Sequence, residues 1–191
     1  MAVQVQQQIQ RRLFSVNEYH ALAKAGILAE DDRVELLCGE IIDMAPIGSR
    51  HAGVVTRLTR TMIQRLNSRA IVATQNPIQL NEGSEPQPDL AVLSLKEDDY
   101  TSGHPTPADV YLLIEVCDTT LAYDRDIKAP LYAQAGVPET WLVDLEARRI
   151  EAHRQPSPQG YRQVTYAYPG DTLSPQAFAD VTLAVDDVLP E

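Results

Sequence analysis

The segment Val110-Tyr-Leu-Leu-Ile-Glu-Val116 constrains the fold more than any other stretch of this chain. A nearly unbroken apolar run of that length is the pattern of a strand covered on both faces, the middle of a layered sheet. Glu115 stands inside it. A charged carboxylate in such a run is costly unless it is paired, hydrogen-bonded or metal-bound. Three explanations are open: a metal ligand, a buried pair with an Arg or Lys, or a strand edge where the glutamate reaches water.

The surrounding pattern is a mixed α/β layout around one buried sheet. Ser15-Val-Asn-Glu18 is a capping box that opens a short helix, with Gly26 as its stop. Arg33-Val-Glu-Leu-Leu37 and Glu40-Ile-Ile-Asp-Met44 read as two strands turning at Cys38-Gly39. Alternation puts Val34 and Leu36 on one face, with Ile41 as a further member, and Glu35 on the other. Ser49–Asn67 reads as the longest helix, with Val55, Met62, Ile63 and Leu66 on one side and Arg50, Arg57, Arg60 and Gln64 opposite. Residues 71–74 and 77–80 are short strand candidates. Asp89 follows the loop Asn81-Glu-Gly-Ser-Glu-Pro-Gln-Pro88 directly and opens the strand Leu90–Leu93. Lys96–Pro107 reads as an exposed loop or short irregular helix. A second helix falls within 124–135 and stops at Gly136-Val-Pro138. The strand Thr140–Asp144 follows, then a hairpin of Arg149–Arg154 and Tyr161–Tyr166 around Pro156–Gly160. The tail from 172 holds the short segments Val181–Leu183 and Val185. Residues 1–12 read as a flexible tail and 13–191 as one domain, a size that suits 191 residues.

Charge narrows the function. The chain carries 16 Lys and Arg against 27 Asp and Glu, a net −11. That argues against a protein that coats nucleic acid by bulk attraction. The charge is uneven, however: no acidic residue lies between Asp43 and Glu82, whereas Arg50, Arg57, Arg60, Arg65 and Arg69 do. No apolar run reaches membrane-spanning length, and the Gln-rich N-terminus lacks a signal-peptide pattern, so a cytoplasmic protein away from membranes is expected. Cys38 and Cys117 stand alone, without metal-ligand spacing, and read as two buried free thiols.

Asp89 sharpens the question that Glu115 raises. If their strands are neighbours, both carboxylates stand at one end of a sheet, a pairing that suits a hard cation such as Mg²⁺. A metal there could hold a phosphate and activate a water, and a nearby lysine could stabilise the extra negative charge. Lys128, in Asp124-Arg-Asp-Ile-Lys128, is the only lysine between 97 and 191.

Pro88-Asp89, twenty-five residues, then Glu115-Val-Cys117 resembles the PD-(D/E)XK motif. Ile114-Glu-Val116, Asp124 with Lys128, Tyr132-Ala-Gln-Ala-Gly-Val-Pro-Glu139 and Trp141-Leu-Val-Asp144 resemble a large bacterial family of uncharacterised restriction-endonuclease-like proteins. Glu35-Leu-Leu-Cys-Gly-Glu-Ile-Ile42 and Ser49-Arg-His51 resemble that family's N-terminal signature. The resemblance covers roughly residues 14–155. It implies a restriction-endonuclease-like core, Mg²⁺ or Mn²⁺, DNA phosphodiester hydrolysis and a homodimer. By position it makes Asp89 and Glu115 metal ligands, Lys128 a catalytic partner and Glu35 an extra acidic residue. The motif's usual lysine position holds Cys117, which cannot supply a fixed positive charge; the resemblance moves that role to Lys128. Pro130 then belongs in the first turn of a helix starting near Lys128.

Each further candidate also has a plain structural role. Glu35 is otherwise a solvated strand residue, His51 a capping or surface histidine, and Asp124 a helix N-cap. Asp144 ends a strand in a turn, Gln79 is a weak candidate for the metal water or substrate, and Tyr132 and Trp141 are core or dimer-interface residues. The Arg50/Arg57/Arg60 stripe, with His51, could track phosphates, or be an ordinary solvated helix face. Two rivals to a DNA endonuclease stand beside it. One is a non-catalytic interaction or regulatory module on the same fold, suggested by the net charge and Cys117. The other is a hydrolase of small phosphorylated substrates.

Overall fold

A computed structural model describes residues 11–29 and 31–189. The first ten residues of the anticipated tail lie outside the described part. Its last two are held by ion pairs, Arg11 to Glu40 at 3.0 Å and Arg12 to Glu18.

The centre is a six-stranded sheet in the order β3-β4-β5-β6-β7-β8. Its strands are β3 (Ile71–Thr74), β4 (Leu90–Leu93), β5 (Val110–Cys117), β6 (Glu139–Asp144), β7 (Arg149–Ser157) and β8 (Gly160–Ala167). Neighbours are antiparallel except β5 and β6, which run parallel. A parallel pair needs a crossover; here it is α3 (Leu121–Tyr123), a π-helical turn (Asp124–Lys128) and α4 (Ala129–Gln134). Before the sheet come α1 (Val16–Lys24), the hairpin β1 (Val34–Leu37) and β2 (Glu40–Asp43), and α2 (Ser49–Leu66). After it, β9 (Thr172–Leu173) pairs with β10 (Leu183–Ala184), and α5 (Val185–Val188) ends the described chain.

Strand β5 is covered on both faces, as its composition requires. Leu112, Ile114 and Val116 join Val55, Leu58 and Met62 of α2 in one core, while Val110 and Leu113 join Tyr132 of α4 and Val137 in the other. Glu115, two residues beyond Leu113, shares its face and so faces the crossover.

Several expectations are corrected. On α2 the buried stripe is Val54, Val55, Leu58, Met62 and Leu66, and Ile63 is exposed. Residues 77–80 form no strand. Ile78 and Leu80 bury their side chains, and their N–H groups bond the Pro86 and Ser84 carbonyls of the following loop. Strands β7 and β8 run on to Ser157 and Gly160, pairing even Pro156 with Tyr161. Cys117 is a buried thiol, but Cys38 is exposed at the β1–β2 turn, with φ 51°. The crossover turns helical at Leu121, so Asp124 is not its N-cap: Thr120 holds that position and donates to Asp124 Oδ2 at 2.6 Å.

Two glycines give opposite expectations. Gly39 has φ 80°, and a Cβ there would meet Leu13 Cβ at 2.6 Å. Gly39→Ala is expected to destabilise the protein by more than about 1 kcal/mol in urea unfolding. Gly53, within α2, has nothing among the described residues within 4 Å of its would-be Cβ. Gly53→Ala is expected to stabilise by about 0.5–1 kcal/mol.

Candidate active site

Asp89 and Glu115 meet because β4 and β5 are antiparallel neighbours. Leu90 pairs with Ile114, so the next residues out stand side by side at the end of the sheet. The Asp89 N–H donates to Glu115 Oε2 at 3.4 Å, and the Val116 N–H donates to Asp89 Oδ2 at 2.8 Å.

Lys128 reaches this point from the crossover. Pro130 has no N–H to continue the helical ladder, and the ladder widens just before it: the Ala129 N–H bonds the Asp124 carbonyl, five residues back. This π-turn buries Asp124 and Lys128. Lys128 Nζ lies 2.8 Å from Glu115 Oε1 and 3.3 Å from Glu35 Oε2, and all three side chains are at most 4% exposed. Pro130 is in the first turn of α4, as its chemistry demands.

Glu35 is therefore no solvated strand residue. All four residues of β1 are buried, and Glu35 accepts from Tyr123 Oη at 3.0 Å and from the Gln87 N–H at 3.0 Å. His51 neither caps α2 nor sits free on the surface. It stands in the first turn of α2 with Nε2 3.0 Å from Asp89 Oδ2. Gln75 Nε2 donates to Asp89 Oδ1 at 3.3 Å, whereas Gln79 is engaged elsewhere, its N–H on the Pro105 carbonyl. Tyr132 is buried core, as expected, and its hydroxyl also donates to Glu115 Oε1 at 2.5 Å. Trp141 is core alone, and Asp144 accepts from the Ala147 N–H in the turn after β6. A cavity of about 300 Å³ opens on the group, lined by Glu35, His51, Gln87, Asp89, Glu115 and Lys128 among others.

The arginine stripe divides. Arg50 bonds the Leu145 carbonyl at 2.5 Å and lies 3.5 Å from Asp118, a cavity residue. Arg57 lines a separate depression with Arg50 and Leu145, and Arg60 is exposed further along α2. Sequence reading missed Gln75, Gln87 and Tyr123. The Pro-Gln-Pro-Asp run was the one signal for Gln87, and nothing local marked the others.

Four carboxyl groups (Glu35, Asp89, Glu115 and Asp124) crowd one ammonium. Burial pushes the Glu115 carboxyl up to about 8, with the Asp124 and Asp89 charges adding to the rise against the pull of Lys128. Burial also raises Asp124, opposed by Lys128 and by the Thr120 and Cys117 hydrogen bonds. Burial alone would lower Lys128, but the charges of Glu115, Glu35 and Asp124 outweigh it, and the ammonium is held above its ordinary range. The hydrogen bond to Asp89 raises His51. Of the three explanations for Glu115, the solvated strand edge fails, since it is 3% exposed. The buried pair is present in Lys128.

Residues 16–186 match the model of the Uma2 family, described as “Putative restriction endonuclease”. The chain belongs to that family. A crystal structure of “a putative nuclease belonging to DUF820” from Anabaena variabilis ATCC 29413 is similar over 92% of this chain and 97% of that one, with a TM-score of 0.69 at 14% identity. At that identity the likeness is one of fold, and the nuclease-like mixed α/β fold expected for the family is the one found. No curated protein matches the chain.

Two outcomes follow from the charge balance. Lys128→Met leaves Glu35 and Glu115 buried without their cation, and is expected to cost about 3–5 kcal/mol in denaturant unfolding at neutral pH. A loss under about 1 kcal/mol would mean the pair contributes little. The second concerns pH. Folding raises Glu115 from an ordinary 4.5 to about 8, so its proton contributes stability that is full below 4.5 and lost as pH rises through 8. With metal chelated, the melting temperature of Glu115→Gln is expected to fall less over that window than that of the parent protein.

Proposed function

We propose that this protein is a divalent-metal-dependent endonuclease that hydrolyses DNA phosphodiester bonds at Asp89, Glu115 and Lys128. The observation that carries this is the geometry of the sheet end: two carboxylates on adjacent strands share a cavity with a buried ammonium. Membership of a family described as “Putative restriction endonuclease” supports the same reading.

The residues fit a hard cation. Asp89 Oδ1 and Glu115 Oε2 each accept a long hydrogen bond, of 3.3 and 3.4 Å, so each carboxylate keeps an oxygen weakly engaged. Oxygen donors of this kind suit Mg²⁺ or Mn²⁺. A metal held there would polarise the scissile phosphate and acidify a water. Lys128, fixed as a cation, acts as a charge and not as a base: it stabilises negative charge building on phosphorus and orients the attacking water. Glu35 and Tyr123 hold the ammonium's surroundings in place, and His51 and Gln75 orient Asp89. Arg57 and Arg60 lie along α2 and would take backbone phosphates as a local basic track, whereas Arg50 is held by the Leu145 carbonyl and Asp118 and would have to leave them to join the track. Two copies of the chain would address both strands of a duplex.

Purified protein with Mn²⁺ or Mg²⁺ is expected to cut DNA in a panel of single- and double-stranded substrates. Asp89→Ala, Glu115→Gln and Lys128→Met should each reduce the rate by at least about a hundredfold. Cutting that survives all three would place the site elsewhere. A non-catalytic module is the rival reading, favoured by the closed Glu35–Lys128–Glu115 network and the net charge of −11. Calorimetry separates the two, because the rival requires no Mn²⁺ isotherm that Asp89→Ala abolishes.

A further inference from the structure

A second cluster of ligand-type side chains lies outside this cavity. His20 on α1, Glu85 in the loop before β4 and His104 in the loop before β5 each bring one ligand atom within 4.8 Å of the other two. None of them lines the cavity of the proposed active site. His20 Nε2 stands 2.8 Å from Glu85 Oε1, and the two imidazole rings are 6.0 Å apart, edge to face. The second observation is independent of that closeness. Glu85 is 2% exposed, and its other oxygen, Oε2, is buried with no hydrogen-bond partner among the described residues. A buried carboxylate oxygen left bare is costly, and a cation would satisfy it.

The backbone around the cluster is held in place. The Val16 N–H bonds the Glu82 carbonyl at 2.7 Å, which seats α1 on the loop. The Glu85 N–H bonds the Leu36 carbonyl at 2.7 Å, and the Gln79 N–H bonds the Pro105 carbonyl, next to His104, at 2.9 Å. The three ligands therefore come from three segments already fastened to one another.

We propose that His20, Glu85 and His104 form a first-row transition-metal site, occupied by Zn²⁺, that clips α1 and the 101–106 loop to the segment carrying Asp89. Two imidazoles and one carboxylate are the ligand set of a three-residue zinc site, with water in the fourth place. Nitrogen donors favour Zn²⁺ here over the Mg²⁺ that suits an all-oxygen site. Bonds of ~2.0–2.2 Å set tetrahedral donors roughly 3.3 Å apart, so the cluster needs only to tighten. His20 and His104 are exposed, which opens the fourth position to solvent and lets their side chains move the short distance required. The clip reaches toward the active site through the chain itself: Glu85 pairs with Leu36, adjacent to Glu35, and Gln87 and Asp89 follow within four residues.

The test is a Zn²⁺ titration of the tag-free full chain in excess Mg²⁺, against a chromophoric zinc chelator. One equivalent is expected to bind. His104→Ala and His20→Ala, both at exposed positions, should each weaken it at least about tenfold, while Asp89→Ala leaves it unchanged. Bound Co²⁺ in place of Zn²⁺ should show a visible ligand-field spectrum that His104→Ala removes. Absence of a binding equivalent, or one untouched by both histidine variants, overturns the proposal. So does a site that Asp89→Ala abolishes and His104→Ala spares. Because DNA cleavage is not a readout here, the result stands apart from the fate of the nuclease reading.

Discussion

The interaction on which the rest of the site depends is the buried ammonium of Lys128 between Glu35 and Glu115. It joins three parts of the chain that are distant in sequence: the β1–β2 hairpin, the central strand and the crossover. Both carboxylates are at most 4% exposed, so a lost partner would be poorly replaced. The dependence is mutual: the ammonium makes both carboxyl groups tolerable in an apolar setting, and they in turn hold it charged. Charge is nevertheless not balanced. Asp89 and Asp124 crowd the same space, and this excess of negative potential is what a divalent cation would relieve.

How Lys128 comes to be there is a matter of backbone. The motif's usual lysine follows the acid by two residues on the same strand. In this chain that position holds Cys117, whose thiol burial pushes up and keeps neutral, in contact with Asp124. The cation comes instead from the crossover, through a π-turn set just ahead of Pro130. The widened turn buries residues 124 and 128 together. Proline, a liability in a regular helix, here marks the point at which the helical ladder is rebuilt.

Regular elements were legible where burial imposes a period. The apolar run of β5, the capping box of α1 and the long amphipathic α2 all stand as expected. Errors arose where a neighbour decides the outcome. Ile63 was counted into the apolar face of α2 but is exposed, and residues 77–80 look extended yet bond to a loop. For the site, Asp89, Glu115 and Lys128 were recognisable as candidates, Glu115 on burial alone. Glu35 and His51 are each compatible, in sequence, with a plain surface role. Alternation says that Glu35 leaves the face of Leu36; it cannot say that the other face is also covered. His51 stands in the first turn of α2, and only the packing of that helix against the sheet end brings it to Asp89.

Composition and spacing alone establish a sheet covered on both faces, a carboxylate in its most apolar strand, and one lysine and one aspartate available to explain it. Those conclusions follow from solvation, which acts on composition and period alone. Tertiary structure decided which groups meet. The antiparallel register of β4 and β5 set Asp89 beside Glu115. The crossover aimed Lys128 at them, and the hairpin closed Glu35 over the ammonium. It also gathered His20, Glu85 and His104 from three separated segments. Such meetings depend on distances between chain segments remote in sequence, set by packing of the whole core, which no local pattern encodes.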